Sequence, residues 1–441
     1  MNQNPIANRT FRTLFAAQIC SILGVGLLTV ALSLAAWRIG GAEAGGKVLG
    51  LLLALKMVAY VGLAPFAETL LARVPRKTAM AGLDFGRMLL LLPMVFVTAT
   101  WQIAALAFFF FVLASGFTPL FQSVIPDVLP DEAQYTRALA WSRIAYTAES
   151  VLSPVIAAVV LKMVAPQALF VCAALSFACS VLFLMLTRFP EKGTISRKGP
   201  FIRRALRGMV IYAKTPRLRG LILLSLGLSF SMAWVLVNTV VYAGERLGDA
   251  DGFYPVLMAG YGFGAALGAV LVPRLLRHVT ERRAIAAGVL GFAGLGAVFA
   301  LLPALPMAGL LLVWGGFGLA SSLALTPGGL VITRSAARED RAAVFAAQFS
   351  LSHAGWLIAY PLAGSLAAQA GLEYALLVLA GLSVLTSVIA LCIWPAHDPI
   401  SRAHAHPDLP ADHPHLSGGS KRHEHAYHID DLHPSWAKAH V

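Results

Sequence analysis

Twelve separate runs of largely apolar residues, each about 20 residues or longer, divide this chain, and no single soluble core could enclose them. They lie at about 12–37, 48–71, 78–99, 102–125, 138–164 and 167–188, then at about 219–243, 253–273, 284–304, 307–332, 342–366 and 372–395. A helix rises about 1.5 Å per residue, so each run suffices to cross a hydrocarbon layer about 30 Å thick. Composition agrees: 58% of the 441 residues are hydrophobic and 12% are charged, against about 25% charged in soluble domains. The expected fold is an all-α membrane protein with twelve transmembrane helices in two six-helix pseudo-repeats. The expected divisions are an N-terminal bundle (1–189), a basic linker (190–217), a C-terminal bundle (218–396) and a disordered His-rich tail (397–441).

The segment Met1–Phe11 is short and polar, and the run after it is too long for the apolar region of a signal peptide. It is expected to remain as the first helix. Cys20, Cys172, Cys179 and Cys392 fall in apolar runs without metal or redox spacing, and read as small hydrophobes.

Charge placement sets the expected orientation. With a cytoplasmic N-terminus and residues at the run edges counted with the adjoining loops, the inner segments before the tail hold 23 Lys and Arg, whereas the outer loops hold Arg38, Lys47, Lys162 and Arg246. That bias places both termini in the cytoplasm, with the protein in a plasma (bacterial inner) membrane. The net charge of +13 then requires no nucleic-acid partner. In Pro190–Arg217, eight Lys and Arg interleave with Phe201, Leu206, Met209, Val210 and Tyr212, which predicts a helix lying on the anionic inner leaflet.

The halves echo one another. Leu70–Lys77 follows the second run, and the similar basic segment Leu275–Arg283 follows the eighth. This parallel repetition, the twelve runs and the basic central loop resemble the major facilitator superfamily over about residues 9–395. Arg73-Val74-Pro75-Arg76-Lys77 looks like the end of its signature loop, with Pro75 where glycine is usual and Ala72 at the acidic position. Glu68 lies one turn earlier. The resemblance implies gating roles for Glu68, Arg73, Arg76 and Lys77. The stretch from Asp127 through Tyr135-Thr-Arg-Ala-Leu-Ala to Ser153-Pro154 is similar to drug and siderophore exporters. Met232–Val241, Ala347–Trp356 and Tyr360-Pro361 resemble a subgroup containing nickel-resistance exporters, as does a His-rich tail.

Ionisable residues are costly inside a bilayer and mark candidate sites. Asp84 and Arg87, three apart, share a helical face and form a candidate structural or gating pair. Lys56 lies about 12 Å from the outer end of its helix, and Glu149 and His353 about 16–18 Å along theirs. All three fall near the midplane, where such carriers bind cargo and coupling ions. Glu149 is the first candidate for a coupling proton or cation site, with Arg143 six residues away as its possible partner. His353 is either a titrating group or ligand, or a hydrogen-bonded packing residue, and Lys56 is a counter-ion or gate. Asn238, Trp234, Trp356 and Tyr360, with Tyr261 and Trp314, are candidate cavity residues; Asn238 and the glutamines Gln18, Gln122 and Gln348 also suit interhelical bonding.

Ten of the twelve histidines follow residue 396. His404, His406, His413, His415, His423, His425, His428 and His433 are closely spaced, and an all-imidazole set suits Ni, Zn, Cu or Co. The alternative is a solvated tail docking on the inner face through Ile429–His433 and Trp436. The expected activity is proton-coupled export of a divalent transition metal, nickel or cobalt foremost. Export of a drug or siderophore is the alternative, and a non-transporting metal sensor a remote one. No nucleophile–base set or phosphate loop suggests an enzyme, and no resident cofactor is expected. The expected partners are lipid, protons and the carried solute.

Overall fold

A computed structural model describes residues 5–62, 74–129, 132–189, 201–302, 304–337, 340–399, 401–406, 410, 415–416, 422–430 and 432–436. After a 3-10 turn at Pro5–Ala7, α1 (Arg9–Gly62) carries the first two crossings. It is followed by α2 (Arg76–Met94), α3 (Thr100–Val128), α4 (Glu132–Val160) and α5 (Ala168–Leu186). The linker helix α6 (Phe201–Lys214) leads to α7 (Pro216–Arg246), α8 (Ala250–Leu275), α9 (Glu281–Leu301) and α10 (Met307–Leu325). A short α11 (Gly328–Ser335), then α12 (Arg341–Ala370) and α13 (Leu372–Ile393), complete the helices. Setting aside α6 and α11, the described residues make twelve crossings, as the apolar runs predict. Among the described residues, eight helical stretches pass on length and apolarity alone.

The first two crossings are not separated by an ordinary loop. The chain turns within α1 at Gly41, with φ 58° and ψ −156°, a conformation that a residue with a Cβ would strain to adopt.

The two halves meet tightly at the face opposite the termini. A side chain at Gly46 would strike Asn238, one at Gly364 would strike the Gly46 carbonyl, and one at Gly50 would strike the Tyr360 carbonyl. Tyr254 donates to Ser33 Oγ at 2.9 Å, and Arg38 pairs with Asp251 at 2.9 Å on the rim. One apolar core cluster runs through both halves, and a smaller one around Phe11, Met80, Phe121 and Leu184 lies near the start of α1.

Two segments differ from expectation. The basic linker helix is not simply laid on lipid: Gly208 lets it press against the Ala343 carbonyl of α12, and Ile211 and Tyr212 are buried. Arg207 grips Asp340 through two contacts, at 2.7 and 3.0 Å, and Tyr212 donates to Gln348. The tail, expected to be disordered, contains an antiparallel ladder of β1 (Ser401–Ala405) and β2 (Arg422–Ala426). Its Tyr427 and Ile429 are buried, so a few apolar anchors and stacked imidazoles do what its composition alone does not suggest.

Candidate functional site

The midplane residues come from three helices. Lys56 and Tyr60 are one turn apart on α1, Glu149 and Ser153 one turn apart on α4, and Phe349 and His353 one turn apart on α12. The Lys56 ammonium stands 5.6 Å from the centre of the Tyr60 ring and 5.7 Å from that of Phe111 on α3. Such faces stabilise a cation with little water available. The ring centres of Tyr60 and Phe349 lie 6.0 Å and 3.9 Å from that of His353. His353 Nδ1 is 2.7 Å from the Phe349 carbonyl, an acceptor, so Nδ1 carries the proton and Nε2 keeps its lone pair.

Glu149 accepts a hydrogen bond from Ser153 Oγ at 3.1 Å. Its carboxylate and Ser153 occupy the space a side chain at Gly26 would need. Gly26 therefore admits the acid between α1 and α4. Lys56 lies within electrostatic reach of Glu149 and of His353. The arrangement sets an acid from the N-terminal half and an imidazole from the C-terminal half around one ammonium, with the Tyr60 ring near both the ammonium and the imidazole. The Arg143 side chain lies outside the described residues, as do all of Glu68, Arg73 and His413. Tyr60, Phe111, Phe349 and Gly26 were not singled out in the sequence. Their one-turn spacing from the charged residues is the signal that finds Tyr60 and Phe349.

The other candidates separate by depth. Arg87 and Asp84 are buried and paired. Ser180 donates to Asp84 at 2.5 Å, Arg87 to Ser21 at 3.2 Å, and the guanidinium is sandwiched between Phe117 and Phe177 at 4.7 and 4.6 Å. Lys77 donates to the Met185 carbonyl at 2.5 Å, close to where Arg76 opens α2. Asn238 is buried and donates to the Ala363 carbonyl at 3.1 Å. Trp234 donates to the Leu372 carbonyl at 2.9 Å and packs with Tyr242, Phe299 and Trp314 inside the C-terminal half, away from the midplane charges. Trp356 and Tyr360 stack at 5.0 Å on α12.

In the tail, His404 lies on β1 with His406 just beyond its end, and strand periodicity sets His423 and His425 on one face of β2, with His404 opposite His423. Chain reversals bring in His415 and His433. Their Nε2 atoms converge: His404–His433 are 3.0 Å apart, His406–His415 3.1 Å, and His406–His433, His415–His423 and His415–His425 each 3.2 Å. Two quartets share His404 and His415, one completed by His406 and His433, the other by His423 and His425. Burial pushes the His433 imidazole down to about 4, against the pull of Asp430; His406, His415 and His423 are also lowered, first by burial and then by their neighbours. These are neutral donors suited to a borderline divalent metal. His428 lies beyond the quartets, after β2.

The tail is tied down at both ends of this cluster. Asp398 meets Arg402 at 3.2 Å, Arg334 at 3.3 Å and Arg217 at 3.7 Å, and accepts from Trp394 Nε1 at 3.3 Å. The Trp436 ring lies 4.9 Å from the Arg217 guanidinium and 4.8 Å from that of Arg402. Arg334 also pairs with Glu281 at 3.2 Å, and Lys214 donates to the Pro434 carbonyl at 2.7 Å.

Comparison with known proteins places this geometry. Among solved structures, the chain is similar to the nucleoside transporter NupG, at 13% identity and TM-score 0.71, over 87% of this chain and all of that one. It is similar to a POT family transporter in complex with 5-aminolevulinic acid, at 11% identity and TM-score 0.68, covering 87% and 96%. It is also similar to the human organic anion transporter MFSD10, at 16% identity and TM-score 0.62, covering 87% and 99%. At these identities the likeness is one of fold. No curated protein gives a significant match. The profile described as Major Facilitator Superfamily matches residues 14–320 and, in an overlapping second match, 250–415. The chain belongs to the Major Facilitator Superfamily and is a membrane transporter.

Proposed function

We propose that this transporter exports a divalent transition metal, nickel or cobalt, in exchange for protons. The observation that carries the reading is the convergence of imidazole Nε2 atoms in the tail. They form a ligand set of all-nitrogen chemistry on the face that bears the termini, taken here as cytoplasmic. The tail gathers metal there, and the midplane acid and imidazole serve the exchange. Glu149 has both the depth and the company for a proton or cation site, because a carboxylate can lose its charge by protonation and regain it. Lys56 supplies the counter-charge when no cargo is bound. Each elementary charge moved across the membrane draws on about 2.3 kcal/mol per 100 mV, enough to drive cargo outward against a gradient.

A second reading has one observation in its favour. Tyr60, Phe111 and Phe349 wall the Lys56–His353 region with rings, as a planar organic solute would require. Elemental analysis of cells grown in nickel or cobalt separates the two. Cells with the intact protein should hold less metal than cells with Glu149→Gln or an empty vector. Equal metal in all three, with equal expression, ends the metal reading and leaves an organic-solute exporter.

A further inference from the structure

The tail hairpin contains an electrostatic oddity. His404 Nδ1 is 2.9 Å from the Arg402 carbonyl, and His433 Nδ1 is 2.8 Å from Asp430 Oδ1. Both partners only accept, so each Nδ1 carries the ring proton. The Nε2 atoms then face one another at 3.0 Å as two lone pairs. His425 likewise carries its proton on Nδ1, which donates to the Ala426 carbonyl at 2.8 Å, and turns its Nε2 lone pair towards His415 at 3.2 Å. Opposed lone pairs repel unless a cation lies between them. A metal at about 2.0–2.1 Å from each nitrogen gives tetrahedral edges of about 3.3 Å, close to these spacings. Carbonyl and carboxylate acceptors on the far nitrogen are also what fixes a metal-binding imidazole.

A two-stranded ladder alone is marginal in water, and the buried apolar side chains among the described residues of the tail are few: Leu416, Tyr427 and Ile429. Yet contacts that tie it to the helical body bracket the imidazoles. Arg402 precedes His404 by two residues and binds Asp398, while Trp436 follows His433 by three and lies against Arg217 and Arg402. Asp398 in turn holds Arg334, which holds Glu281 at the start of α9.

The geometry points to a metal-dependent clasp: a divalent transition metal in the imidazole quartets assembles the hairpin, seats Trp436 between Arg217 and Arg402, and so pins the connections entering α9 and α12. This rests on the metal reading of the tail, but not on metal being the cargo. It makes the tail a sensor of its own ligand: with metal present, these two connections are held in one arrangement, and chelation releases them.

Hydrogen exchange of the full-length protein in lipid nanodiscs, with nickel ion or with chelator, tests the clasp. Nickel should slow exchange by about tenfold in 401–406 and 422–436, and also in 276–283 and 334–340. Trp436→Ala should bind nickel with unchanged stoichiometry by calorimetry and keep the tail protected, but lose the added protection of the two connections. His404→Ala with His415→Ala should lose both, with unchanged melting of the helical body as the control for folding. Protection confined to the tail in the intact chain overturns the clasp, as does no response to nickel anywhere. A protein that shows the full exchange pattern yet leaves cellular metal unchanged keeps the clasp and loses the metal-export reading, so the two fail separately.

Discussion

Each half of the molecule buries a carboxylate against arginine, and the two do it differently. Asp84 is answered by Arg87 on its own helix, with Ser180 and Ser21 from neighbouring helices and two phenylalanine rings closing the site. Asp398 lies beyond the last crossing and is answered by arginines from three separate segments, Arg217, Arg334 and Arg402. The pair at the heart of the first cluster lies on a single helix and braces the interior of a bundle. The second draws its arginines from segments far apart in the chain, and it joins the bundle to a tail.

The sharpest way to break the comparison is to remove one partner from each. Arg87→Ala leaves a buried carboxylate without its cation, and should cost about 3–5 kcal/mol, read as lost expression or a large fall in melting temperature. Replacing both members together (Asp84→Leu with Arg87→Met) should cost much less. If the double replacement is as damaging as the single one, the pair is not a bracing device. Asp398→Asn weakens charged contacts at the edge of the fold and should cost about 1–3 kcal/mol. That loss should appear as faster proteolysis between 401 and 436, with the melting of the helical body nearly unchanged; a fall matching that of Arg87→Ala would erase the distinction.

The smallest effect expected is one of pH. In metal-free protein the His433 imidazole is held down at about 4 by burial, whereas an ordinary imidazole titrates near 6.5. Above about 6.5 both the packed and the released tail are neutral there, and packing suffers no penalty. As pH falls from about 6.5 towards 4, the released tail takes up the proton first, so packing weakens. Protease sensitivity of the tail should therefore rise over that interval, and the Asp84–Arg87 half should not respond.

The same contrast explains what can be read from the chain alone. Apolar runs about as long as a bilayer is thick reveal the crossings directly, and the i, i+3 spacing of Asp84 and Arg87 reveals their pairing. Strand spacing in His404-Ala-His406 and His423-Glu-His425 likewise hints at shared ligation. The meeting of Lys56, Glu149 and His353 could be anticipated only through likeness to a known arrangement, because three helices far apart in the chain supply it. Asp398 gave no sign of its importance. It looks like any acid in a polar tail, and only the folded positions of Arg217 and Arg334 make it a hub. Trp436 was a better clue, since a large ring in so polar a tail needs a surface to cover. The linker helix misled because its basic face suits lipid as well as Asp340, and only the close approach at Gly208 decides between them.

The glycine seam at the face opposite the termini has a mechanical consequence. Where Gly46, Gly50 and Gly364 meet Asn238, Tyr360 and one another, much of the contact is main chain against main chain, and helical carbonyls already have partners within their own helices. Parting them breaks few bonds between the halves and frees few side chains to tumble, and rejoining them demands little search for the right rotamer. Such a joint resembles two smooth plates with small fastenings, the Tyr254–Ser33 bond and the Arg38–Asp251 pair at the rim. If transport opens and shuts this face, the closure leaves little to repair each time.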